Sequence, residues 1–294
     1  MSALAATDNA LRQLSSPPAI VPMLARAALA SLPLGARLIP GGSGDPLHTT
    51  LVLDDVAVDR DRLARYARVC GFDLSDALPA TYPHVLAFGL QLALLTDPGF
   101  PLPVVGLVHI ANRIEQHRPI AASERPSLRV RLGPIKPHPR GRSVTIHTEA
   151  RCAEQPVWTE WSTMLHRGDG DESIPAAPSP PSAAPLARNA EWRLPGDLGR
   201  RYAAVSGDRN PIHLHALTAR PFGFRRPIVH GMWTLARCLA ALGPELPESF
   251  AVEVAFKRPI LLPARVTFAE EAGTLAFGVR DARDDTPHLD GLIS

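Results

Sequence analysis

Two apolar runs dominate the pattern of hydrophobic and polar positions. One reads His84-Val-Leu-Ala-Phe-Gly-Leu-Gln-Leu-Ala-Leu-Leu. The other reads His230-Gly-Met-Trp-Thr-Leu-Ala-Arg-Cys-Leu-Ala-Ala-Leu. Each is apolar nearly all round, which is the pattern of a helix enclosed by other structure. A shorter helical pattern precedes each run. It is Leu63-Ala-Arg-Tyr66-Ala-Arg-Val69-Cys70-Gly71 in the first half and Leu198-Gly-Arg-Arg-Tyr202-Ala-Ala-Val205-Ser206-Gly207 in the second, with the tyrosine five residues before the glycine in both. After each apolar run comes a β-patterned stretch ending in the same tripeptide, Arg118-Pro119-Ile120 and Arg258-Pro259-Ile260. Further alternation follows at Leu128-Arg-Val-Arg-Leu132 and Arg265-Val-Thr-Phe268. Alternation with period two predicts half-buried strands. A long buried helix followed by strands, without strand–helix–strand alternation, predicts an α+β fold. A sheet curled around one central helix satisfies both patterns, and two such units side by side would form one continuous sheet.

Composition sets the boundaries between these units. Residues 168–187 (GDGDESIPAAPSPPSAAPLA) are rich in Pro, Ala and Ser and nearly free of large apolar side chains, so they read as a linker. The predicted organisation is an N-terminal helical extension over 1–40, a first unit over 41–167, the linker, and a second unit over 188–294. Residues 20–34 are apolar but too short, and too interrupted by Arg26, to span a bilayer, so they read as a helix packed on the body.

Charge and cysteine content exclude several functions. A net charge of +2 with 20% charged residues supplies no general field for nucleic acid. Cys70, Cys152 and Cys238 are far apart and fit neither a disulfide framework nor a zinc site. The first residues, MSALAATDNALRQL, have no basic stretch followed by an apolar core, so no secretory signal is read and a cytoplasmic location is expected.

Candidate chemistry is concentrated at Ser206-Gly207-Asp208-Arg209-Asn210-Pro211-Ile212-His213. Gly207 permits a tight turn. Asp208 and Asn210 favour local bonds from side chain to backbone over helix. Pro211 fixes its own φ and pushes Asn210 out of the helical region. The stretch is therefore a shaped loop presenting a carboxylate and an imidazole five residues apart, a pair suited to general acid–base work on water. Gly231 stands at the start of the second apolar helix, where backbone N–H groups have no internal partner and could polarise a carbonyl. His230, taken alone, reads as a residue capping or packing at that helix start.

The combination Gly-Asp-x-Asn-Pro-x-His, followed by His230-Gly231-Met232 before an apolar helix, resembles the MaoC-like, or hydratase 2, family of hot-dog proteins. The likeness spans Tyr202 to Ala264. The first half resembles the degenerate unit of double hot-dog members through Tyr82-Pro-His-Val-Leu-Ala-Phe and Gly106-Leu-Val-His-Ile-Ala-Asn-Arg-Ile-Glu. The resemblance implies reversible hydration of 2-enoyl thioesters to (R)-3-hydroxyacyl thioesters, with no metal and no organic cofactor. It implies Asp208 and His213 as the catalytic pair, Asn210 as loop support alongside Ser206 and Gly207, and the Gly231 N–H on the thioester oxygen. In the first half Phe72 follows Gly71, Asp73 has no Asn-Pro-x-His after it, and the stretch from Gly71 to His84 is ten residues shorter than that from Gly207 to His230. One active site per chain is expected, and the missing loop should leave an apolar tunnel along the first-half helix.

The thioester carrier is left open between coenzyme A and acyl carrier protein. Arg225, Arg226, Lys257 and Arg258 are candidates to meet a phosphate or the pantetheine arm. Two rival functions stand beside the hydratase. A hot-dog thioesterase would use a carboxylate on the central helix, but Gly231–Leu242 carries none. A non-catalytic acyl-binding subunit would have no need of the Asp208, Asn210 and His213 set. Whether the chain forms a homodimer is also open, since a fused double unit already supplies the pairing that single hot-dog chains gain by dimerising.

Overall fold

The computed structural model describes residues 10–30, 45–104, 106–175, 180, 187–243, 246–271 and 276–294. Its first half runs β1 (Ala10–Leu14), α1 (Ile20–Ala30), β2 (Thr49–Leu53), α2 (Arg60–Cys70), α3 (Tyr82–Leu95), β3 (Leu107–Gln116), β4 (Ser127–Leu132), β5 (Lys136–His138), β6 (Gly141–Cys152) and β7 (Gln155–Arg167). Its second half runs β8 (Ala187–Leu194), α4 (Leu198–Ser206), α5 (Ala216–Ala219), α6 (Gly231–Leu242), β9 (Phe250–Phe256), β10 (Ala264–Glu271), β11 (Ala276–Asp281) and β12 (Pro287–Ile293). All the strands join one 12-stranded sheet in the order β1-β2-β4-β6-β7-β3-β9-β12-β11-β10-β8, with β5 pairing on β6.

That order repeats a single topology. In each half the strand just before the paired helices lies farthest from the centre of the repeated unit (β2, with β1 added outside it, and β8), and the first strand after the long helix lies innermost (β3, β9). β3 and β9 pair antiparallel at the centre, with Arg113 opposite Glu253 in register and ion-paired to it. One cluster of buried side chains runs through both halves and takes in Val85, Leu90 and Leu94 of α3 and Leu235, Leu239 and Leu242 of α6. The two apolar runs are thus the helices that the continuous sheet encloses. The fold is the α+β double hot dog.

The tyrosine–glycine repeat is structural. Gly71 and Gly207 end α2 and α4 in the left-handed region, at φ 84° and 87°. Tyr66 and Tyr202 are fully buried, with ring centroids 6.0 Å apart. The halves also cap each other: Arg62 of α2 donates to the carbonyls of Val205 and Ser206 at 2.7 and 2.9 Å, placing a cation at the C-terminal end of α4. Trp233 of α6 donates to Val69 O at 2.9 Å.

The N-terminal region departs from the helix-only expectation. β1 adds to β2 as a parallel edge strand, which period-two reasoning could not find in five residues, ALRQL, that are mostly exposed. α1 does pack on the body, with Ile20 against Gly207. Residues 1–9 and 31–40 of the expected extension lie outside the described residues, as do 176–179 and 181–186 of the expected linker. The first half ends with β7 at Arg167, and β8 opens the second at Ala187.

Candidate active site

Local chemistry shapes the loop after α4 as its residue types require. The Asp208 N–H donates to Ser206 Oγ at 3.1 Å, and the Asn210 N–H donates to Asp208 Oδ1 at 3.0 Å. Asn210 Oδ1 accepts from the Ile212 N–H at 3.4 Å and so starts the single 3₁₀ turn Pro211–His213. The Ile228 N–H donates to Ile212 O at 3.0 Å and the Val229 N–H to Ile260 O at 3.0 Å, which anchors the approach to α6 beside the loop.

His213 is buried, and its Nδ1 lies 2.8 Å from Ile228 O. A carbonyl can only accept, so Nδ1 carries the proton and Nε2 keeps its lone pair. His230 stacks on His213 at 3.6 Å between centroids, and its Nε2 donates to Asp208 O at 3.1 Å. Its Nδ1 is buried without a partner. Asp208 is the exposed member, with 28% of its side chain accessible. One ligand atom from each of the three residues lies within 4.8 Å of the others. A water donating and accepting at about 2.8 Å spans such a gap.

Burial lowers the pKa of both histidines. It takes His230, also next to His213, down to about 3, and it leaves His213 below its ordinary value despite Asp208. Burial would raise Asp208, but His230, His213 and the Asn210 N–H outweigh it and hold the carboxylate ionised. The site therefore offers a carboxylate and a neutral imidazole together at neutral pH. Two rings stacked 24° from parallel send their in-plane lone pairs along neighbouring planes.

Gly231 is the first residue of α6 and lines the same cavity of about 160 Å³ as Asp208 and His213. Its N–H is one of the helix's unpartnered initial donors, at the positive end of the dipole. A side chain here would meet the Phe256 ring, whose nearest atoms lie 3.1 Å from an added Cβ. The cavity continues into the first half along one face of α3, at His84, Phe88, Gln91, Leu92 and Leu95.

Against this geometry stand the comparisons with known proteins. The MaoC-like domain family matches residues 181–276. The chain is 34% identical over 276 residues to 3-hydroxyacyl-thioester dehydratase X of Mycobacterium tuberculosis, covering 92% of this chain and 96% of that protein. The chain belongs to the MaoC-like dehydratase family. It is also 34% identical over 90 residues to the (R)-specific enoyl-CoA hydratase of Aeromonas caviae, 29% of this chain and 62% of that one. The crystal structure of HtdX from M. tuberculosis superposes with a TM-score of 0.74 at 32% identity, over 83% of this chain and 98% of that one.

Within this MaoC-like site the loop residues Ser206, Asp208, Asn210 and His213 all line the cavity with Gly231, and Gly207 supplies the turn. The four basic candidates separate. Arg258 lines both this cavity and an adjoining groove, and Arg226 lines the groove while donating to Pro263 O at 3.2 Å. Lys257 lines the cavity and pairs with Asp290 at 3.4 Å. Arg225 is exposed and lines neither space. Arg118 is bound to Glu124 through both terminal nitrogens, a structural use of the repeated Arg-Pro-Ile.

Sequence reasoning missed His230 as a partner of the loop, and it expected the space along the first-half helix to be apolar, missing the polar part of its wall. His84, Gln91, His109 and Ser162 line the cavity from α3, β3 and β7. The available signal was the polar residue recurring on an otherwise apolar helix: His84 and Gln91 are seven apart and so share one face.

Proposed function

We propose that the chain hydrates trans-2-enoyl thioesters reversibly to (R)-3-hydroxyacyl thioesters, with Asp208 and His213 as its catalytic pair. The observation that carries this reading is the ionised Asp208 and the neutral imidazole of His213, with ligand atoms within 4.8 Å of each other, lining one cavity with Gly231 at a helix N-terminus. Water held by the pair attacks C3. His213 Nε2 takes a proton from it as the C3–O bond forms. Charge moves through C2 to the thioester oxygen, where the Gly231 N–H receives it, and a proton returned to C2 completes the addition. One such preorganised donor is worth about 3 kcal/mol in known oxyanion holes. Asn210 and Ser206 hold the loop, and no metal or organic cofactor is required by these steps.

The carrier reading favours coenzyme A. The adjoining groove of about 540 Å³ is lined by Arg193, Arg226, Arg258, Arg265 and Arg283, together with Asp281 and Asp284, and shares Arg258 and His288 with the catalytic cavity. Guanidinium groups are suited to bidentate contact with phosphates. The α3 face supports acyl chains of medium or longer length in the first half. We further place the enzyme in the cytoplasm; among the described residues no helix is long and apolar enough to cross a membrane. The β3–β9 junction supplies the pairing within one chain, so a homodimer is an addition to the site rather than a condition of it.

The test is hydration of trans-2-enoyl-CoA from C4 to C16. The expected result is loss of the enoyl absorbance without release of free thiol. Thiol release would instead identify a thioesterase. Absence of turnover on enoyl-CoA and on acyl carrier protein substrates would identify an acyl-binding subunit.

A further inference from the structure

The half without the catalytic loop carries a buried ion pair that the hydration steps do not use. His84 Nδ1 sits 2.9 Å from both oxygens of Glu160, with side chains 11% and 0% exposed. Glu160 also accepts from Asn112 at 2.8 Å and from Gln91 at 3.3 Å. Asn112 donates to Ser162 at 2.9 Å and Gln91 to Thr148 at 3.0 Å, so the carboxylate is fully enclosed by donors. Burial alone would lower the His84 pKa and raise that of Glu160, but each holds the other charged: His84 is raised and Glu160 lowered.

Such a pair brings little stability, because desolvation offsets its attraction. Its position is what matters. Glu160 stands behind the wall, while His84, Gln91, Ser162 and His109 line the cavity among Phe88, Leu92 and Met164. Glu160 takes the Nδ1 proton, and because the ring is held charged between both carboxylate oxygens, Nε2 carries a proton too and is the donor left for the cavity. A second atom awaits a partner: His109 Nε2 is buried and unpaired, and the ring lies 4.8 Å from that of Phe256, which packs on Gly231. The patch also adjoins the catalytic loop: His84 and Asp208 line one cavity, and each feels the other's charge. From His84 the lined face continues to Leu95, about 16 Å further along the helix.

We propose that this patch receives an oxygen acceptor on the acyl chain beyond the reacting carbons, with His84 Nε2 as donor, so that the degenerate half selects oxygen-bearing acyl groups. The inference rests on the hydratase reading. An aliphatic chain would leave the His84 donor and His109 Nε2 unsatisfied in an apolar wall, whereas an ether, hydroxyl or keto oxygen placed there satisfies the donor.

The test is an oxygen scan. Trans-2-enoyl-CoA of fixed length is compared with analogues in which one methylene from C5 to C9 is replaced by an ether oxygen. One position should raise kcat/KM about fivefold over the all-carbon chain, the size of a net hydrogen-bond gain. The double variant H84F/E160Q removes the donor without stranding a buried carboxylate, and its ratio of oxygen-bearing to all-carbon kcat/KM should fall to one or below. His84→Gln, which keeps a donor, should retain part of the preference, and circular dichroism checks that each variant is folded. Hydration with no favoured position, or a preference that survives in the double variant, overturns the proposal. No hydration of any chain by the wild type overturns the hydratase reading and this inference with it.

Discussion

The two halves share strand order, a central helix and a tyrosine–glycine helix end, yet they spend their buried polar groups differently. The second half places Asp208, His213 and His230 on a loop and a helix start, with the carboxylate partly exposed and both imidazoles neutral. The first half places His84 and Glu160 on a helix and a strand, with the carboxylate fully buried and the pair charged. The difference follows from the backbone that carries each set. A loop rich in Asp, Asn and Pro can turn a carboxylate toward water. A carboxylate on an enclosed strand can be ionised only if donors surround it.

The sharpest way to test that contrast is to remove a carboxylate from each half. Asp208→Asn and His213→Ala should each lower kcat/KM for enoyl-CoA hydration by about 10²–10⁴-fold, the usual range for lost acid–base assistance. Asp73→Asn, which removes the exposed carboxylate two residues after Gly71, should leave it unchanged. The pH profile sharpens the same point. Because burial keeps the His213 pKa low, kcat/KM should be flat through neutrality and fall only on the acid side, with its midpoint below the ordinary histidine value of about 6.5. A midpoint above that value would assign the base to a different group.

Glu160→Gln should act on stability where Asp208→Asn acts on rate. Breaking a buried ion pair costs about 3–5 kcal/mol, measurable as a lowered midpoint in denaturant. The pH dependence has a definite sign. Glu160 is lowered in the fold, so its contribution is present above the unfolded glutamate value and is lost as pH falls through the folded one. His84 is raised, so its contribution is present below the unfolded histidine value and is lost as pH rises through the folded one. The gap between wild type and variant should therefore be widest between about pH 4.3 and 6.5 and narrow on either side.

How much of this could be read from the sequence varies by region, for physical reasons. The loop was legible because the side chains of Ser206, Asp208 and Asn210 each accept from the backbone N–H two residues on, so local chemistry determines local shape. The double fold was legible because the apolar runs and alternation occur twice in the same order. The His84–Glu160 pair was not, because its partners are 76 residues apart and meet only once β7 has wrapped α3. His230 hid for a related reason: its link to Asp208 is a backbone carbonyl 22 residues away, which leaves no trace in residue type. β1 was missed because an edge strand with one neighbour needs no buried face.

The smallest expected effect lies at a position where the halves differ by one side chain. Three residues before the tyrosine the first half has Leu63, a buried core residue, and the second has Gly199. The reason is the catalytic loop. His213 O lies 2.0 Å from where a Cβ on Gly199 would stand, with the His213 carbonyl carbon at 3.1 Å. These are backbone atoms held by the 3₁₀ turn, so they cannot step aside as the end of a flexible side chain could. Gly199→Ala must therefore push His213 outward or bend α4. Overpacking of this kind costs about 1–3 kcal/mol. Alanine's better helix propensity returns up to about 1 kcal/mol of that. Stability should drop modestly, while kcat falls more than KM rises, because the displaced atom belongs to the residue that holds the water. An alanine variant with full kcat would show that the loop tolerates displacement and that the glycine serves only the close packing of α4.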